Sequence, residues 1–289
     1  MSEVVSRFAP SPTGRLHLGH AYSALLAHRF ARERHGAFLL RIEDIDPGRA
    51  RPEHVDAIIE DLAWLGIEYD GEIVYQSERL PFYAAALERL KQAGLAYPCF
   101  CTRSTIAAEI AASASAPHGP EGPHYPGTCR KLCAEERGQR AKTTPHAWRL
   151  DMSAAAVATG PLSWTDAGEE VHADPQAFGD VVIARKDAPT SYHLSVVVDD
   201  AAQGVTDVVR GRDLHASTHI HRLLQGLLGL PSPRYHHHPL LTDAAGRRLA
   251  KRTGAPTLAS LREAGVDPGK LADDLLMGFL PAGYSATAS

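Results

Sequence analysis

The feature that most narrows the folds open to this chain is the alternation at its start. A strand-like run at 4–9 meets a turn at 11–15, a helical pattern follows over 18–35, and a second strand-like run spans 37–42. Leu25, Leu26 and Phe30 recur at helical spacing, and after Glu43, Asp44 and Asp46 a proline at position 52 opens another helix carrying Val55, Ile58, Ile59 and Leu62. A β-α-β-α unit of this kind predicts an α/β fold in which a parallel sheet has helices packed on it.

Farther along, 81–94 reads as a helix with a glycine near its end, and the Ala/Ser-rich then Pro/Gly-rich stretch 107–127 reads as an irregular insertion. Strand character returns in AWRLDM, LSWTD, DVVIARKD, YHLSVVVDD and VTDVVRG, which are expected to resume and complete the sheet. A helix is expected over 217–228, then a strand through PRYHHHPLL, then short amphipathic helices in TLASLREAG and PGKLADDLLMGFL. There is no internal repeat.

Lys and Arg number 30 against 34 Asp and Glu, so a net charge of −4 supplies no chain-wide attraction for phosphate or anionic lipid, and any nucleic-acid surface must be local. No apolar run reaches the ~18 residues of a membrane helix, and the first residues lack a signal-peptide pattern. A cytoplasmic protein is expected. The four cysteines, Cys99, Cys101, Cys129 and Cys133, crowd into one stretch, which suits a local metal clip better than a disulfide framework.

The stretch RFAPSPTGRLHLGH places two prolines and Gly14 between strand and helix. A helix start aims unpaired N–H groups and a positive dipole end at whatever precedes it, so such a turn suits phosphate. His17 and His20 stand three apart, on one helical face, and Gly19 between them would let a flat base approach the backbone. Neither a G-x-G-x-x-G fingerprint nor a P-loop is present. Two surface histidines after a stiff turn remain the plain alternative. His236, His237 and His238 lie in a strand whose alternation turns His237 away from its neighbours, and a structural role is favoured there over metal binding.

RFAPSPTGRLHLGH strongly resembles the first signature of class I aminoacyl-tRNA synthetases, in the form used by the glutamyl-tRNA synthetase family, and RRLAKRTG at 247–254 resembles the second, Lys-Leu-Ser-Lys-Arg. The resemblance covers nearly the whole chain. It implies a Rossmann-like catalytic domain with a zinc-binding insertion and short C-terminal helices, divided as 1–96 and 147–241 for the two catalytic halves, 97–146 for the insertion and 242–289 for the second-signature loop and helical tail. It also implies a glutamate site at Arg7, Ala9, Ser11, Glu43, Tyr192 and Arg210, and an ATP site at His17, Gly19, His20 and Lys251. Arg7 and Arg210 offer planar forks for a carboxylate, and Glu43 an acceptor for the substrate ammonium. Attack of the glutamate carboxylate on the α-phosphorus of ATP, with Mg²⁺ on the phosphates, needs no protein nucleophile, so catalysis would be positioning and electrostatics. The chain departs from the signature at Arg248 and Ala250, where the family has Lys and Ser.

The cysteine stretch is similar to the zinc site of a compact branch of that family, which implies Zn²⁺ on Cys99, Cys101, Tyr125 and Cys129, with Cys133 a competitor for Tyr125. His124 is expected to be a neighbour. Only a short tail follows Lys251, so no anticodon-binding domain is expected. The compact branch transfers glutamate to queuosine in the wobble position of tRNA(Asp), which implies ATP, L-glutamate and queuosine-containing tRNA(Asp) as partners, with Arg103, Arg130, Lys131 and Arg137 as candidate RNA contacts. A minimal enzyme charging tRNA(Glu) and a noncatalytic adenylate- or RNA-binding paralogue remain the rivals.

Overall fold

The protein, described here from a computed structural model, is defined for residues 3–112, 118–119, 122–243, 256–279 and 284–287. Strand β1 (Val5–Phe8) leads through the proline turn into helix α1 (Leu18–Arg32), strand β2 (Ala37–Ile42), helix α2 (Pro52–Trp64) and the short strand β3 (Val74–Tyr75). β1 pairs parallel with β2, and β2 parallel with β3. The initial alternation therefore folds as its pattern requires.

Alanines let α1 lie close on the sheet: Ala21, Ala24, Ala27 and Ala31 are buried with Leu18 and Leu25. The helix stops at Arg32, short of the expected 35. His35 turns the chain with a left-handed φ of 52°, and a Cβ on Gly36 would meet the Val4 carbonyl oxygen at 2.3 Å. Only a glycine permits β2 to start that close to β1.

Helix α3 (Leu80–Gln92) is followed by β4 (Ala96–Cys99), α4 (Arg103–Ala112), the small hairpin β5 (His118–Gly119) and β6 (Gly122–Pro123), α5 (Ala134–Thr143), β7 (Ala147–Leu150) and α6 (Met152–Thr159). The stretch 107–127 is therefore not irregular throughout, since its first part continues α4 and its middle forms a hairpin. Then come β8 (Ser163–Asp166), β9 (Glu169–His172), β10 (Val182–Ala184), α7 (Tyr192–Ala202), β11 (Asp207–Gly211), α8 (Ser217–Leu228), β12 (Arg234–His238) and β13 (Leu240–Asp243). Helices α9 (Leu258–Glu263) and α10 (Pro268–Leu276) and strand β14 (Tyr284–Thr287) complete the described elements.

β11 pairs parallel with β12, and β12 with β8, which forms an antiparallel hairpin with β9. Thr206, just before β11, joins this sheet to β1: its N–H donates to Val5 O at 2.9 Å and its Oγ1 accepts from Val5 N at 2.9 Å. Two expectations fail here. AWRLDM and DVVIARKD do not resume the parallel sheet; β7 and β10 form a separate antiparallel sheet with β4 at the foot of the cysteine stretch. YHLSVVVDD is helix α7 rather than a strand. Its valines favour a strand locally, but Leu194, Ser195, Val196, Val197, Asp199 and Asp200 are all buried, and a helix buried on most sides shows no clean apolar stripe in sequence.

Two cores result. Leu18, Leu25, Phe38, Leu40, Ile58 and Leu62 pack with Leu258 and Leu275 of the last helices, while Leu90, Leu150, Leu194, Val197, Leu223 and Leu224 form a second cluster around α3, α7 and α8. Among the described residues no helix is long and apolar enough to cross a membrane. Gly36→Ala should destabilise the fold by about 1–3 kcal/mol, the range for forcing atoms into a packed site. Gly138→Ala, where a Cβ meets nothing within 4 Å, should not destabilise it; denaturant titration of both variants checks this.

Candidate active site

A cleft of about 830 Å³ opens where the carboxyl ends of β1, β2, β11 and β12 converge, the position at which open parallel sheets bind ligands. Arg7, Ala9, Ser11, Glu43, Tyr192 and Arg210 line it, together with His17, Gly19 and His20. Of the residues expected at the amino-acid and nucleotide sites, Lys251 alone, with the rest of 247–254, lies outside the described residues.

The proline turn is tied to the segment after β2. Pro10 O accepts from Glu43 N at 3.0 Å and Pro12 O from Arg51 N at 3.1 Å. His17 is the N-cap of α1 rather than a member of the helix. Its Nδ1 accepts from Gly19 N at 3.1 Å, His20 Nδ1 accepts from His17 N at 3.2 Å, and the ring centroids lie 3.9 Å apart. This reciprocal cap uses Nδ1 of both rings as acceptor, which puts the proton of each neutral ring on Nε2. A Cβ on residue 19 would stand 3.1 Å from His17 Cε1, so Gly19 protects the cap as well as the approach to the backbone.

Arg7 does not hold its fork open toward the cleft as the sequence suggested. Its Nε and Nη2 donate to the two oxygens of Asp200 at 3.0 and 3.2 Å, and Arg41 Nη1 also reaches Asp200 at 2.9 Å. Arg41 further lies 3.5 Å from Glu43 and 3.9 Å from Asp199, and Asp199 accepts from Gln76, Arg79 and Tyr83 at 2.7–2.8 Å. Burial would lower Arg41, but Asp200, Glu43 and Asp199 outweigh it and hold the guanidinium charged. Burial pushes Glu43 up to about 7, against the pull of Arg41 and Arg7. For Asp200 burial acts upward too, but Arg7 and Arg41 prevail and its carboxyl stays below the ordinary range.

Arg210 is different. It is 5% exposed, and its described partners are all neutral: His237 Nε2 at 3.1 Å, Thr218 Oγ1 at 2.7 Å, Leu214 O at 3.1 Å, His221 Nδ1 at 3.4 Å and Tyr192 Oη at 3.5 Å. Burial and the Arg210 charge drive His221 far down and His237 to about 3, so these imidazoles are neutral acceptors. Tyr192 is pushed up to about 12 by burial and stays a phenol. Among the described residues no carboxylate pairs with Arg210. A buried guanidinium so placed favours an anion arriving from the cleft.

The cysteine stretch builds a second site. Cys99, Cys101 and Cys129 bring their sulfurs within 4.8 Å of one another, and Tyr125 Oη lies 3.4 Å from the sulfurs of Cys99 and Cys101. The 3.5 Å between Cys101 and Cys129 is close to the ~3.8 Å edge of a tetrahedron with zinc–sulfur bonds of about 2.3 Å. Phe100 N donates to Cys129 Sγ at 3.3 Å and Arg149 Nε to Cys99 Sγ at 3.3 Å, contacts that stabilise thiolates. Burial works upward on Cys129, but hydrogen bonds from Tyr125 and Phe100 outweigh it and lower the thiol. Cys133 stands apart, exposed, capping α5 by accepting from Glu136 N. His124 turns away to Ala177 O at 2.6 Å.

Residues 3–286 match the family model described as tRNA synthetases class I (E and Q), catalytic domain. The chain belongs to this family. Its members are ligases, and the enzyme shares 52% identity over 273 residues with a protein of Rhodobacter capsulatus named glutamyl-Q tRNA(Asp) synthetase, covering 92% of this chain and 97% of that one. A protein of the same name from Deinococcus radiodurans is 47% identical, with 94% and 88% covered. Glutamate-tRNA synthetase from Elizabethkingia anophelis superposes with a TM-score of 0.80 at 29% identity, over 97% of this chain and 63% of that one. This synthetase chain thus spans somewhat less than two thirds of that solved structure.

Several residues of the site were not legible beforehand. Asp199 and Asp200 were visible only as an acidic pair ending an apolar run, and Arg41 only as a charge within one. Of the basic candidates, Arg130 is engaged by Asp180 and Asp151 and Arg137 lies over the Tyr97 ring at 5.9 Å, while Arg103 and Lys131 are exposed. Because the folded state raises Glu43 from 4.5 to about 7, its contribution favours folding below the unfolded value and is lost as pH rises through 7. Between pH 5 and 8 the unsubstituted protein should therefore lose on the order of 2 kcal/mol more stability than Glu43→Gln, measured by denaturant titration across that range.

Proposed function

We propose that the enzyme activates L-glutamate with ATP, without needing tRNA, and transfers it to queuosine in the wobble position of tRNA(Asp). The observation that carries this reading is Arg210, a buried cation with neutral partners alone among the described residues, facing a cleft that also holds Arg7 and Glu43. A dicarboxylate amino acid answers that arrangement: its side-chain carboxylate meets Arg210, with Arg7, held by Asp200, lining the cleft beside it, and its ammonium meets Glu43 once that carboxyl is ionised. The α-carboxylate then lies toward the His17 cap.

In the first step an α-carboxylate oxygen attacks the α-phosphorus of ATP in line, forming the mixed anhydride and breaking the bond to pyrophosphate, which leaves with its Mg²⁺. His17 and His20, which line the cleft, donate from Nε2 to phosphate oxygens, and Lys251 is assigned to the same phosphates. In the second step a hydroxyl of the queuosine ring attacks the anhydride carbonyl and AMP leaves. The chain's part in both steps is orientation and charge stabilisation. The names of the relatives at 52% and 47% identity support queuosine as the acceptor. The likeness to glutamate-tRNA synthetase keeps tRNA(Glu) charging as the second reading.

Transfer of labelled glutamate should be seen with queuosine-containing tRNA(Asp) and not with the same tRNA lacking queuosine or with tRNA(Glu). Equal labelling with and without queuosine would reject the acceptor assignment. The residues around Cys99 fit a structural zinc held by Cys99, Cys101, Tyr125 and Cys129, which would pin the Pro/Gly-rich stretch. Elemental analysis should find about one zinc per chain, the stoichiometry of a closed four-ligand site, lost in Cys99→Ser and kept in Cys133→Ser.

A further inference from the structure

Behind Arg210 lies a second layer of polar side chains. Arg210 and His237 are register partners on β11 and β12, and the His237 side chain is completely buried. Its Nε2 stands 3.1 Å from Arg210 Nε and 3.4 Å from Thr218 Oγ1. Its Nδ1 stands 3.1 Å from Asp166 Oδ1, an ion-pair distance at which no hydrogen bond is formed, so that Nδ1 has no hydrogen-bond partner among the described residues, and its backbone N–H donates to the same oxygen at 3.1 Å. Asp166 ends β8, paired beside Tyr235 on β12.

The partners dictate the tautomer. Arg210 Nε carries a hydrogen at every accessible pH, so the ring nitrogen facing it must offer a lone pair. The proton of the neutral ring then sits on Nδ1, toward the carboxylate. Burial first, then the Arg210 charge, keep the ring from taking a second proton.

We propose that Asp166 is a positioning residue for the amino-acid site, holding His237 in its Nδ1-protonated form so that His237 fixes the Arg210 guanidinium. The inference rests on the reading of Arg210 as the partner of the glutamate side-chain carboxylate. Without Asp166 the proton is free to move to Nε2, where it would point at the Arg210 N–H, and one of the two groups must give way. Asp166, His215 and His237 could also gather a metal ion, their donor atoms lying within 4.8 Å of one another. An ion on Nδ1 would force the proton onto Nε2 against Arg210, so the proton is the better occupant.

The test measures glutamate-dependent ATP–pyrophosphate exchange on the full chain at varied glutamate and varied ATP. Asp166→Ala should raise the KM for glutamate about tenfold, the scale for loosening one charged contact, and leave the KM for ATP within about twofold. Asp166→Asn, which keeps an oxygen for both N–H groups of His237, should stay within about threefold of the unsubstituted enzyme in glutamate KM. A folded Asp166→Ala protein with unchanged glutamate KM, or with both KM values raised together, overturns the proposal.

Imidazole ¹⁵N spectra of the unsubstituted protein give an answer that does not depend on how the variant folds. With the His237 signals assigned by their loss in His237→Gln, the Nδ1-protonated neutral pattern should persist from pH 6 to 8, and an Nε2-protonated, cationic or metal-bound pattern overturns the proposal. Absence of glutamate-dependent exchange in the unsubstituted protein would reject the functional reading instead.

Discussion

One carboxylate, Asp200 on α7, holds the guanidinium groups of Arg7 on β1 and Arg41 on β2 at 2.9–3.2 Å. All three side chains are removed from solvent. A buried ion pair of this kind is a weak source of net stability but an exacting one, because losing a partner strands a charge that water no longer reaches. Asp199 repeats the arrangement one residue earlier, gathering Gln76, Arg79 and Tyr83. A lattice of ion pairs and hydrogen bonds, which meets the cleft at Arg7, thus draws its members from two strands, the 3₁₀ turn Gln76–Arg79 and two helices. Such a lattice is pre-organised, which is what a reaction run on positioning and electrostatics requires.

Against that lattice the opposite wall has another character. Arg210 is surrounded by hydroxyl, carbonyl and neutral imidazole acceptors, so its hydrogen bonds are satisfied and its charge is not cancelled. Asp200 neutralises Arg7 in part and leaves it oriented, whereas the histidines orient Arg210 without neutralising it. The contrast gives the cleft a net pull on an anionic side chain, while Glu43, raised to about 7, provides an acceptor whose charge depends on its occupant. The capped start of α1 supplies the third wall, where each of the two imidazole rings accepts from a backbone N–H.

How much of this was legible depended on the range of the interactions involved. The strands at Val5–Phe8 and Ala37–Ile42, and the helices at Pro52–Trp64 and Ser217–Leu228, declare themselves through local apolar period and punctuation. YHLSVVVDD misled because its β-branched residues argue locally for a strand, and packing between α3 and α8 overrides them. AWRLDM was rightly seen as a strand but assigned to the wrong sheet, since nothing local distinguishes a strand bound for the parallel sheet from one paired with Ala96–Cys99. The cysteine cluster was legible in its three nearest members. That Tyr125 stands beside the cluster and Cys133 apart from it depends on how the chain between them folds.

By itself the sequence determined the class of fold, the two signature stretches and most of the residues that meet in the cleft, because each is encoded in a short run with its own spacing. The tertiary structure alone decided what those residues touch. Asp200 reaches Arg7 across 193 positions, Gln203 reaches Arg41 across 162, and His238 reaches Ser23 across 215. No local pattern carries such pairings; each joins a strand residue to one on a helix or at its end, and they exist only because the fold brings strands and helices far apart in the chain together, where their side chains must share a single volume.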